Sequence, residues 1–65
     1  MGLPNTFVTV TEGVRGWFAV IMDYDEECEC HVPYNSSFWS YPTKEQAIPD
    51  AEQWARAEEL PLITD

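Results

Sequence analysis

The apolar run Trp17-Phe18-Ala19-Val20-Ile21-Met22, closed by Asp23 and Tyr24, constrains this 65-residue chain most. A run this short, bounded by turn signals, does not fit most helices. It predicts the central strand of a small sheet. Before it, Thr6-Phe7-Val8-Thr9-Val10-Thr11-Glu12 alternates and is rich in β-branched residues, which predicts a first strand. Gly13-Val14-Arg15-Gly16 joins the two as a turn with a glycine at each end.

After the central strand comes Asp23-Tyr24-Asp25-Glu26-Glu27-Cys28-Glu29-Cys30. Its acids suit a water-facing hairpin. Cys28-Glu29-Cys30-His31-Val32-Pro33-Tyr34 reads as a third strand, with Cys28, Cys30 and Val32 on one face and Glu29 and His31 on the other. Pro33 puts that strand at an edge. Phe38-Trp39-Ser40-Tyr41 reads as a short fourth strand or an extended arm.

The remainder is helical. Thr43 and Gln46 have the spacing of a capping box. Ala47, Ala51, Trp54 and Ala55 form an apolar face, opposed by Glu45, Glu52, Arg56 and Glu59. Pro49 lies too deep for the first turn, so the sequence predicts a kink or a helix beginning near Ile48. Pro61 ends the helix, and Leu62 and Ile63 fold back onto the core. The expected fold class is α+β: one compact domain (residues 1–65), an antiparallel meander of three to four strands with one C-terminal helix packed on one face. A core this thin leans on its aromatics for packing. Tyr24, Tyr34, Trp39 and Tyr41, near the acids, are also candidate anchors for a partner, the core or its margin being the more expected place for Trp39 than for Tyr24.

The strand order and the Pro42–Trp54 segment that leads into the helix resemble the small HicB-like antitoxin domain. The resemblance covers most of the chain and implies a regulatory domain acting through its sheet edge in an oligomer. No functional residue is carried over from it.

Charge narrows the function. Twelve acids face three bases, a net charge of −9. Direct binding to nucleic acid or to an anionic membrane is disfavoured, because phosphates are repelled. No apolar run approaches membrane-spanning length. With no basic segment ahead of an apolar run, no secretory signal is expected. Two cysteines without such a signal fit a reducing, cytoplasmic setting and small buried thiols.

Catalytic and metal chemistry find little footing. His31 is the lone histidine, and no activated nucleophile is legible. Cys28, Cys30 and His31 supply zinc-type ligands, but on opposite faces of a strand and with no second pair. A disulfide between strand positions two apart would be strained. Asp23, Asp25 and Glu27 begin like a calcium loop. Cys28 then stands where glycine is needed, and Tyr34 where the bidentate glutamate is needed. The expectation is no enzyme, no cofactor and no metal.

What remains is the acidic surface. Asp23, Tyr24, Asp25, Glu26, Glu27 and Glu29 form the main candidate contact, with Glu52 and Glu59 on a second, weaker face. Closely spaced carboxylates imitate a row of phosphates and steer onto a Lys/Arg-lined groove. The expected partner is a larger protein with a basic surface, met by a monomer or homodimer. The profile is like that of phage-encoded anti-defence inhibitors, anti-CRISPR proteins among them. The alternatives are the HicB-like regulatory domain and a small metal-binding module.

Overall fold

The computed structural model describes residues 3–64. Strands β1 (Thr6–Gly13), β2 (Gly16–Asp25) and β3 (Cys30–Ser36) form one antiparallel sheet in the order β1-β2-β3, and helix α1 (Lys44–Glu58) follows. This is the expected α+β meander, with three strands.

The apolar run lies in the central strand, as its composition requires. On one side β2 pairs with β1 from Thr6↔Asp23 to Gly13↔Gly16. On the other it pairs with β3 from Val20↔Ser36 to Asp25↔Cys30, with a bulge that lets Tyr34 stand out of register. Period-two alternation sends Val8, Val10, Ala19 and Ile21 to one face. There they meet Ala47, Ala51 and Ala55, a stripe of small residues that lets α1 lie close to the sheet.

Aromatic packing differs from expectation. Phe7 is the only buried aromatic among the described residues, whereas Trp17, Tyr41 and Trp54 rim the core and Trp39 is 67% exposed. The alanine stripe leaves too thin a gap between helix and sheet for large rings, so these settle at its margins.

The helix begins at Lys44, not near Ile48. The Thr43 hydroxyl accepts from the Gln46 N–H at 3.3 Å and caps the first turn. Pro49 sits inside the helix, so the carbonyl of Glu45 loses its usual intrahelical donor. At the other end Glu59 takes a left-handed conformation (φ 57°). The Leu60 N–H then bonds the Ala55 carbonyl at 2.8 Å, which closes the helix.

Phe38–Tyr41 is not a strand. Only Tyr41 bridges, to Trp17. The outer edge of β1 is instead joined by the tail; of the two residues expected to fold onto the core, Leu62 packs against it. The Val8 N–H donates to the Pro61 carbonyl and the Ile63 N–H to the Val8 carbonyl, both at 2.9 Å. The edge of β3 is blunted in another way. Pro33 has no N–H to offer, and the Ser36 N–H is taken by Asn35 Oδ1 at 3.0 Å.

Candidate binding surface

β2 and β3 meet in a turn over residues 26–29. Glu26, Glu27, Cys28, Glu29 and Cys30 are all exposed. The Glu27 N–H donates to Asp25 Oδ1 at 3.0 Å, a side chain bending its own turn. Glu29 is left-handed (φ 54°). That conformation turns the chain between the cysteines and brings their Cα atoms to 5.3 Å, against about 6.6 Å for residues two apart in a strand.

Cys28 lies in the turn, not in β3, and neither cysteine is buried. The two are joined in a disulfide, because the left-handed residue removes the extended geometry on which the strand reading rested. The Cys28-Cys30-Val32 face therefore does not exist as expected. The bridge and the Asp25 hydrogen bond together fix the shape of the acidic tip.

The candidate acids divide into groups. Asp23 is half-buried and accepts from the Thr6 hydroxyl at 2.8 Å, so it braces the sheet. Asp25 shapes the turn. Glu26, Glu27 and Glu29 project from it. Tyr24 is 38% exposed and lies on the other sheet face, edge-on to His31 with ring centroids 5.4 Å apart. His31 packs in turn on Phe7 at 5.0 Å, and its Nε2 is 2.9 Å from the Pro4 carbonyl oxygen. The lone histidine is thus engaged in packing. Glu52 and Glu59 are exposed on and just after α1, which lies over β1 and β2 and not over β3.

The sheet face opposite α1 is open. A shallow cavity of about 430 Å³ there is floored by Phe18, Val20, Met22 and Pro33. A second groove, of about 340 Å³, runs between the 37–39 segment and α1 and is lined by Ser37, Phe38, Trp39, Asp50, Gln53 and Trp54. Sequence reasoning missed it, because Trp39 and Trp54 come together only through the path of the 37–41 connection. Among the described residues, no three His, Cys, Asp or Glu side chains are grouped so as to hold a metal ion, and no helix is long and apolar enough to cross a membrane.

No protein-family model, curated protein or solved structure matches this chain. The likeness of its helix approach to HicB-like domains rests on the sequence pattern alone.

Proposed function

We propose that this chain is a non-enzymatic binding protein whose acidic hairpin occupies a basic, nucleic-acid-binding type of site on a larger protein. The mode is that of the phage-encoded anti-defence inhibitors. The observation that carries the reading is the turn itself. Glu26, Glu27 and Glu29 are exposed on a tip fixed by the Asp25 hydrogen bond and the Cys28–Cys30 bridge. A turn whose backbone is already shaped loses little backbone freedom on binding, and its carboxylates form charge-assisted hydrogen bonds with guanidinium groups. The sheet-edge alternative is weaker. One edge is joined by the 61–63 tail, and the other offers Pro33 and a Ser36 N–H already bonded.

The test is affinity capture from a lysate at low and high salt, followed by binding of the purified captured protein to variants. Glu26→Lys with Glu27→Lys spares the Asp25 hydrogen bond and should abolish capture. Glu52→Lys with Glu59→Lys should retain it, and raised salt should release the partner from wild type. A partner that the hairpin variant retains, or one insensitive to salt, overturns the reading.

A further inference from the structure

The groove beside α1 combines features that the hairpin reading does not use. Phe38 is 96% exposed and Trp39 67%. They are neighbours in sequence, and their rings meet edge to face with centroids 6.2 Å apart, so neither covers the other. This exposure is not that of a loose loop. The Ser37 N–H donates to the Ala19 carbonyl at 2.8 Å, the Ser37 hydroxyl accepts from the Ala19 N–H at 3.2 Å, and the same hydroxyl donates to the Trp39 carbonyl at 3.1 Å. Two backbone hydrogen bonds to Trp17 then hold Tyr41. The segment is pinned at both ends, with its aromatics turned to water. Across the groove stand Trp54, Gln53 and Asp50.

We infer that this groove is a receptor site for a cationic side chain of the partner, an arginine. It rests on the reading of the chain as a binder of basic surfaces, but it names a different place on the molecule. Aromatic faces attract a cation through their quadrupole. The lining carboxylate supplies the opposite charge and can take a guanidinium by two parallel hydrogen bonds. Gln53 adds a side-chain oxygen acceptor. The groove's shape selects among cations. It is an open slot, not an enclosed cage, so it cannot strip the tightly held water from an ammonium. A guanidinium is flat, weakly hydrated and stacks on indole faces, and it fits such a slot. A volume of about 340 Å³ lies at the small end of ligand sites and admits one long side chain. The net charge of −9 disfavours an acidic occupant or a second copy of this chain. The cavity on the open sheet face is lined by hydroxyl and apolar residues with no charged group among them, so it carries no comparable chemical signature.

The site is testable without the partner. The probe is N-acetyl-arginine amide, which carries one cation; an oligoarginine would coat any acidic surface. In a titration followed by the indole N–H resonances, those of Trp39 and Trp54 should move together, with a dissociation constant on the order of 1 mM, while that of Trp17 stays. The citrulline amide, equal in shape but uncharged, should move neither, and the lysine amide should bind more weakly. Trp39→Ala and Asp50→Asn should each weaken the arginine response roughly fivefold or more. Melting curves of both variants confirm that the fold is intact. Glu26→Lys with Glu27→Lys should leave this titration unchanged. Shifts confined to residues 25–29, or equal responses to arginine and citrulline, overturn the groove and leave the hairpin reading standing. A groove response that persists while the hairpin variant still captures the partner sinks the hairpin reading instead.

Discussion

The backbones of Trp17 and Tyr41 exchange two hydrogen bonds, each 2.7 Å long. This pair extends the sheet by one bridge past the end of β3 and sets where the chain turns into α1. It also brings the Tyr41 carbonyl against Gly16, whose φ is +125°. An ideal Cβ at Gly16 would overlap that carbonyl oxygen. Gly16→Ala therefore meets two penalties, a strained dihedral and a backbone clash. We expect it to lower stability by at least about 2 kcal/mol in urea unfolding. A loss under about 0.5 kcal/mol would show that the Trp17–Tyr41 pair does not hold this geometry.

Pro49 interrupts the hydrogen-bond ladder of α1 at a position where the N–H would be used. Its exposed ring replaces no core contact. Pro49→Ala restores the donor to the Glu45 carbonyl and raises helix propensity, at the cost of a freer unfolded chain. The net change should be a gain of about 1–3 kcal/mol, read as a higher melting temperature. No change, or a fall, would mean that the helix does not continue through residue 49 in solution.

The cysteines give a different kind of expectation. A bridge across so few residues removes little entropy from the unfolded chain, about 1.6 kcal/mol at 25 °C by the chain-entropy relation. Both residues are exposed, so replacing them leaves no cavity. Cys28→Ser with Cys30→Ser should cost no more than about that amount. A loss of several kcal/mol would restore the reading of both as core residues. A chelator should leave the melting temperature unchanged for wild type and variant alike.

Sequence reasoning succeeded where a local rule decides the outcome. The apolar run at Trp17–Met22 had to be the central strand, the Thr43–Gln46 spacing had to cap, and Leu62 had to be covered. It failed where a single dihedral overrides the pattern. Cys28-Glu29-Cys30 alternates like a strand, and nothing in its composition announces a glutamate with positive φ. The Phe38-Trp39-Ser40-Tyr41 stretch has strand chemistry, yet the ladder beside it is taken up by Ser37 and Tyr41 alone. In the candidate site, exposure of the turn glutamates was legible from charge density. The tie from Asp23 to Thr6 was not, because it depends on the register of β1 against β2.

Glu59 connects stability to the functional question. It closes α1 in a left-handed conformation that costs a residue with a Cβ about 1–2 kcal/mol, and it places a carboxylate at the negative end of the helix dipole. Glycine removes both penalties, though it also frees the unfolded chain. Glu59→Gly should therefore stabilise the protein by roughly 1 kcal/mol. Glu59→Gln removes the charge but keeps the Cβ, so it should recover only the dipole part, about 0.3–1 kcal/mol. If the two variants gain equally, the backbone at residue 59 is relaxed and the cap geometry is wrong. Binding provides the second readout. With the hairpin and the aromatic groove as the contacts, Glu59→Gly should hold the partner as wild type does while melting at a higher temperature. A more stable Glu59→Gly protein that has lost its partner would move the binding site to the C-terminal end of α1.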